Sequence, residues 1–179
     1  RMDLLTGKRE SNGVYKGKDQ YLLEKIARAD QKKIEEDLKA MEEFKKRYEK
    51  IPMYFALVPN AANILEDKLP RFAVTEDQRE IFGSISRKLW EGITWVDLSK
   101  PLGAHSTEEI YYRTDSHWTT LGAYYASRQL VETMGLDAEK TPEWEKHVVT
   151  NIFTGDLSLK SGYQSGYQES IYIYTAKKE

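Results

Sequence analysis

The sequence predicts an α/β fold, a three-layer arrangement of a parallel sheet with flanking helices, on three observations. Residues 53–58 read Met-Tyr-Phe-Ala-Leu-Val and are closed by Pro59-Asn60. A short continuous apolar run ended by a turn is the pattern of a strand buried on both faces, hence of a parallel sheet. A second such run, Ile-Thr-Trp-Val-Asp-Leu, occupies 93–98, and an amphipathic stretch lies between the two. Strand, helix and strand in that order require a right-handed crossover.

The elements follow in chain order. The opening alternates short apolar pieces with turn residues: Asn12-Gly13-Val14-Tyr15, then Gly17-Lys18-Asp19-Gln20, then Tyr21-Leu22-Leu23. This is a strand-and-turn signature. A long helix is expected over 30–48, with Ile34, Leu38, Met41 and Tyr48 on one face and a solvated mixture of Glu, Lys and Arg elsewhere. The next helix starts at Thr75, with Gln78 as its capping-box partner and Ile81, Phe82, Ile85, Leu89 and Trp90 as its apolar face. Gly92 stops it, and Pro101-Leu102-Gly103 breaks the strand that follows. A third helix runs from after Trp118 to about Met134 on Leu121, Tyr124, Tyr125 and Leu130, with Gly135 past its end. From Trp144 the pattern changes to short strands and turns: His147-Val148-Val149, Ser161-Gly162-Tyr163, and 170–174. No internal repeat or low-complexity linker interrupts the chain.

Size and charge bound the function. The 179 residues suit a single domain spanning 1–179, and a chain of this length buries roughly 70% of its unfolded surface. Lys plus Arg total 27 and Asp plus Glu 29, a net charge of −2. That balance supplies no field for a phosphate backbone, so no nucleic-acid partner is expected. The mean hydropathy is −0.69, and no apolar run approaches the ~20 residues that cross a bilayer. The absence of cysteine excludes disulfides and thiolate chemistry. The chain opens Arg1-Met2 without a signal-peptide pattern, which reads as a piece of a longer product. Aromatic residues make up 12%, and several stand among polar neighbours: Tyr111, Tyr112, Trp118, Tyr163 and Tyr167. Such rings suit sugar-like ligands; they equally fill cores and strand faces.

The densest chemistry is Tyr111-Tyr112-Arg113-Thr114-Asp115-Ser116-His117-Trp118-Thr119. An imidazole that takes a proton from a nucleophile needs a carboxylate to fix its tautomer and stabilise its cation. Asp115 and His117, one residue apart, can supply that pair. The alternative is that Asp115 or Ser116 caps the following helix and His117 packs beneath it.

Asp115-Ser116-His117-Trp118 resembles the motif of the DHHW protein family, with Ser116 where the family's first His stands. The same stretch, continued through Thr119, Gly122 and Ala123, is similar to the Asp-x-His-Trp-Thr-x-x-Gly-Ala segment of the alginate O-acetyltransferase family, which is SGNH-hydrolase-like. Gly17-Lys18-Asp19-Gln20-Tyr21-Leu22, the stretch from Val58-Pro59-Asn60 to Leu69-Pro70, and Phe153-Thr154-Gly155-Asp156-Leu157 with Lys160-Ser161-Gly162 resemble further parts of these proteins in order. The resemblance implies a Ser-His-Asp enzyme, an O-acetyltransferase or esterase, acting on a cell-surface or secreted polysaccharide or another acyl ester. It implies an extracellular or cell-surface location, His117 as general base, Asp115 as its orienting carboxylate, and Arg113, Tyr112 and Trp118 at the substrate. No cofactor and no metal are expected.

In this family the nucleophilic serine lies on a turn well downstream of the Asp-His pair, and no such turn occurs here. Ser158, Ser161, Ser165 and Ser170 lie downstream, but none follows a buried strand and precedes a helix. The expectation is therefore a domain truncated at its C-terminal side and, taken alone, inactive. Two other readings stay open. One is a metal site at Asp115 and His117 completed by His105 or Asp97, although no His-x-x-x-His pair supports it; His105 and His147 read as surface or strand histidines. The other is a non-catalytic carbohydrate-binding module, with the five aromatic residues named above as its surface and Arg113 meeting an anionic sugar.

Overall fold

The structure, a computed structural model, describes residues 9–137, 144–164 and 166–177. The mixed α/β class expected from the sequence holds. Strands β1 (Glu10–Ser11) and β2 (Val14–Lys16) form a hairpin, and β3 (Leu22–Glu24) adds antiparallel to β2. The β1–β2 loop is Asn12-Gly13, with φ of 50° and 74°, the positive pair that a two-residue hairpin turn needs to match strand twist.

Helix α1 (Gln31–Arg47) starts where Asp30 accepts a hydrogen bond from the Lys33 amide. Ile34, Leu38 and Met41 are half-buried, as the periodicity requires. Tyr48 does not join them; it lies past the helix end, exposed, with its ring 4.9 Å from that of Phe44.

Strand β4 (Met53–Ala56) pairs parallel with β5 (Ile93–Val96), Met53 opposite Ile93 and Ala56 opposite Val96. The expected crossover is therefore present. Burial on both faces is not: Met53, Tyr54 and Phe55 are half-buried, while Ala56 and Val58 are exposed. Among the described residues the sheet has only these two strands, so little covers the run's far end.

Helix α2 (Ala61–Ile64) follows β4, and α3 (Gln78–Lys88) starts later than expected because Asp77, not Thr75, is its cap. The Thr75 hydroxyl instead accepts from the Ile26 amide at 2.8 Å, and the Gln78 side chain accepts from the Asn60 amide at 2.7 Å. Both groups stitch segments together rather than forming a capping box. Phe82 and Ile85 face inward. After β5, a short helix α4 (Ser99–Ala104) carries Pro101 in its first turn. Its missing N–H costs nothing there, so the residue read as a breaker is tolerated inside the helix. Helix α5 (Thr120–Thr133) packs on α4 and β5.

The final part is β6 (Trp144–Phe153), α6 (Asp156–Ser161) and β7 (Glu169–Ala176), with β6 and β7 antiparallel through two register irregularities. The short strands expected around His147 and over 170–174 are the middle parts of these longer ones. Ser161-Gly162-Tyr163 is not a strand: Ser161 ends α6 and Gly162, at φ 72°, closes it. A six-residue helix is too short for its periodicity to show in sequence.

One apolar cluster gathers Leu23, Ile26, Ala62, Leu65, Val96, Leu98, Leu102, Ile110, Tyr111 and Ala126. A smaller one joins Val14 and Leu22 to Leu157 and Tyr163. Ile110 and Tyr111 root one end of the chemical loop in the first cluster. Leu157 roots α6, which meets that loop, in the second.

Candidate active site

The loop is closed at its base. Tyr111 bridges Trp118, the Tyr112 amide donates to the His117 carbonyl at 3.2 Å, and the Thr119 amide donates to the Ile110 carbonyl at 2.9 Å. Thr119 is also the cap of α5, its hydroxyl accepting from the Gly122 amide. A Cβ on Gly122 would lie 2.3 Å from the Ile110 carbonyl oxygen; the close seat of α5 on the loop is why glycine stands there.

Because Thr119 caps α5, the Asp115 carboxylate is free for other work. Oδ1 accepts from the His117 amide at 2.9 Å and lies 2.6 Å from His117 Nδ1. Oδ2 accepts from the Asp156 amide at 3.1 Å, at the start of α6. The Asp115 side chain is 11% exposed and that of His117 is 77% exposed. His117 is thus displayed, not packed beneath a helix. With Nδ1–H committed to the carboxylate, the neutral ring presents its Nε2 lone pair outward. Among the described residues no hydroxyl bonds to Nε2; Ser116 Oγ stands 3.5 Å from Nδ1.

Four residues that sequence reasoning missed hold this pair. Glu169, buried at the head of β7, accepts from the Arg113 amide at 2.5 Å and from the amide and hydroxyl of Thr114 at 2.7 and 2.5 Å. The Thr114 hydroxyl accepts in turn from the Gly155 amide at 2.9 Å. Asp156 accepts from the Ser116 amide and hydroxyl at 2.9 and 3.0 Å. Gly155 touches Asp115 so closely that a Cβ there would lie 2.6 Å from the Asp115 Cα. Only the Gly155-Asp156 pair carried a signal in sequence, as part of the downstream resemblance; Glu169 and Thr114 carried none.

Burial alone would raise the Asp115 pKa, but the amides of His117 and Asp156 and then the His117 ring outweigh it, and the net shift is below the ordinary value of 3.8. A carboxylate with a depressed folded-state pKa adds stability that is present above its unfolded pKa and is lost as pH falls through the folded one. Acid titration of unfolding is therefore expected to show a limb beginning near pH 4 and running downward. In Asp115→Asn that limb is shallower, the two proteins converging in stability at the acid end. Parallel curves would mean that the carboxylate is not held as described.

The other candidates disperse. Arg113 is sandwiched between the rings of Tyr21 and Tyr167, 5.0 and 4.4 Å from their centroids, and pairs with Glu109 at 2.8 Å. Tyr112 is half-buried and meets Phe153 edge-on at 5.2 Å. Trp118 packs against the main core. Tyr111 is buried and donates to the Pro59 carbonyl, and Tyr163 belongs to the second core, so the core-filling reading holds for these two. Asp97 accepts from the Ser99 amide, and His105 stacks on Tyr125 with Nδ1 2.5 Å from Glu108. Neither joins Asp115 and His117, and among the described residues no group of three or more His, Asp or Glu is placed to hold a metal. His147 stands on β6, bonded to Thr175. The Ser158 and Ser161 hydroxyls donate to the backbone carbonyls of Tyr163 and Leu157. Ser170 lies on β7, and Ser165 falls outside the described residues.

Residues 14–165 match the family of SGNH hydrolase-like domains of acetyltransferase AlgX. The chain belongs to this family. Solved structures agree on the fold. A DHHW family protein from Eubacterium siraeum superposes at a TM-score of 0.79 with 22% identity, over 94% of this chain and 56% of that one. The O-acetyltransferase domain of Pseudomonas putida AlgJ gives 0.67 and 20%, over 91% and 64%. Bacillus cereus PatB1, solved with a sulfonyl adduct, gives 0.69 and 22%, over 92% and 55%. The chain thus spans a little over half the length of these structures. A comparison with curated protein sequences finds no match. No helix among the described residues is long and apolar enough to cross a membrane.

Proposed function

We propose that this chain carries the acid–base half of an SGNH-type acyl-ester enzyme, an O-acetyltransferase or esterase acting on a cell-surface or secreted polysaccharide. The observation that carries the reading is the 2.6 Å contact of Asp115 Oδ1 with His117 Nδ1, on a ring whose Nε2 faces outward. Family membership supports the same class of chemistry.

In this mechanism a serine outside the described residues stands at His117 Nε2. Its oxygen attacks the ester carbonyl while Nε2 takes its proton, and Asp115 stabilises the imidazolium through Nδ1. The intermediate collapses to an acyl-enzyme, and the leaving alkoxide receives the proton from Nε2. A second hydroxyl, of a sugar or of water, then attacks the acyl-serine, its proton going to Nε2 and from there back to the serine. Transfer and hydrolysis differ only in that last hydroxyl. Tyr112 and Arg113 face the substrate in this reading; Trp118, behind the loop, keeps it seated on the core.

The test is sulfonyl fluoride treatment of the complete gene product. The expected result is one serine sulfonylated in step with loss of p-nitrophenyl acetate turnover. A protein that neither turns over the ester nor takes up the label would overturn the enzyme reading in favour of a carbohydrate-binding module.

A further inference from the structure

A cavity of about 360 Å³ lies beside the loop, between the β6–β7 pair, the start of α5 and the segment 108–113. Its size is that of a small-ligand site. No single stretch of sequence makes it. Tyr112 contributes from the loop, Lys146 from β6, Tyr172 and Tyr174 from β7, and Thr120 and Leu121 form the wall on α5. The Thr120 hydroxyl donates to the Tyr172 carbonyl at 2.6 Å and pins the strand to the helix.

The walls have a definite chemistry. Tyr112, Tyr172 and Tyr174 are half-buried, and among the described residues their hydroxyls bond to nothing. The Lys146 ammonium sits 3.6 Å from the Tyr172 ring centroid and pairs with no described carboxylate. Apolar ring faces beside open hydroxyls and an ammonium match a pyranose, whose C–H face and hydroxyl rim alternate in the same way.

Charge narrows the ligand. Glu108, Glu109 and Glu169 face the cavity against Arg113 and Lys146. Arg113 is already matched by Glu109, so its charge is spent within the protein. A phosphate or a sugar carboxylate entering here would meet more negative than positive charge and would lack a free guanidinium.

The cavity adjoins the loop that carries Asp115 and His117, although neither of the two lines it. Tyr112 lines it and bonds through its backbone to His117. Its phenol pKa is raised by burial first and then by the charges of Glu169 and Asp115, which puts the cavity wall within electrostatic range of the carboxylate that orients His117.

We propose that this cavity is a subsite for an uncharged pyranose residue, bound by the hydroxyls of Tyr112, Tyr172 and Tyr174 and the ammonium of Lys146. The inference rests on the polysaccharide reading above and adds the place and charge class of the sugar. It places one hexose of the acceptor against the loop, with its neighbours along the chain running out over the β6–β7 pair.

The test is saturation-transfer NMR and calorimetry on the complete gene product with three probes: cellohexaose, chitohexaose and a galacturonate hexamer. At least one uncharged hexamer binds, and the galacturonate hexamer binds at least tenfold more weakly. Tyr172→Phe and Tyr174→Phe remove only a hydroxyl; each is expected to weaken the uncharged hexamer roughly fivefold, the loss of about one hydrogen bond. Lys146→Met, which keeps the chain's length, weakens it by a similar factor. Tight binding of the galacturonate alone, no binding of any hexamer, or affinity unchanged in all three variants would overturn the subsite. Failure of ester turnover with these sugar-binding results intact would instead overturn the enzyme reading and leave the subsite standing.

Discussion

Replacing His117 with Ala in the complete gene product is expected to lower kcat for ester turnover by about 10⁴-fold, the upper range for loss of a general base. Uncharged-hexamer affinity stays within about twofold. The ring makes no wall of the sugar cavity, and its side chain is 77% exposed, so removing it leaves no hole. Asp115→Asn is expected to cost a similar factor of roughly 10⁴, because an amide cannot hold the ring in the tautomer that presents the Nε2 lone pair. The two substitutions combined cost no more than the larger alone, since they disable one unit. The measurement is kcat and KM on p-nitrophenyl acetate beside hexamer affinity. Equal loss of turnover and sugar binding would make His117 a binding residue; turnover unchanged in His117→Ala would remove it from the chemistry.

Gly155→Ala is expected to damage the site and the fold together. The added methyl would lie 2.3 Å from the Asp115 Cβ and 2.6 Å from its Cα. Backbone cannot rotate aside as a side-chain tip can. The Gly155 and Asp156 amides are meanwhile anchored to Thr114 and Asp115, so relief on one side breaks bonds on the other. Overpacking of this kind costs about 3 kcal/mol, a fall in melting midpoint of roughly 6–12 °C for a chain of this size. Displacing Asp115 should also flatten the acid limb of stability. Gly103→Ala is the control: it lies in α4 with no atom within 4 Å of the added methyl, and the gain in helix propensity leaves stability equal or slightly higher. A Gly155→Ala protein that melts within about 2 °C of the parent, with its acid limb intact, would show that the loop and α6 are not in contact as described.

How much of this was legible in the sequence depended on the range of the interaction. The long helix beginning near residue 30, the strand and turn at Asn12-Gly13-Val14-Tyr15 and the parallel pairing of residues 53–56 with 93–96 were all readable. Each is written in residues close together, where hydrophobic period and turn chemistry act. Thr75 and Gln78 misled for the opposite reason: a capping box is a local pattern, but both side chains found partners on Ile26 and Asn60. The six-residue α6 left no period to detect, and the β6 and β7 strands extend beyond the pieces visible as apolar fragments because their pairing is with each other.

The candidate site divides along the same line. Asp115 and His117, one residue apart, could be named from sequence because a short loop can bring a carboxylate to an imidazole without help. The long-range neighbours could not. Glu169 lies 55 residues from Thr114, and Lys146, Tyr172 and Tyr174 reach Tyr112's cavity from the β6–β7 pair. By itself the sequence determined the α/β class, the near-even charge balance, and an Asp115–His117 pair one residue apart, which a carboxylate–imidazole contact and a helix cap could both explain. Only the tertiary structure decided that Asp115 meets α6 rather than capping α5, that His117 is displayed, and that the tyrosines divide between core and cavity. Buried polar groups must be satisfied by whatever the fold brings near, and that partner is chosen by packing, not by position along the chain.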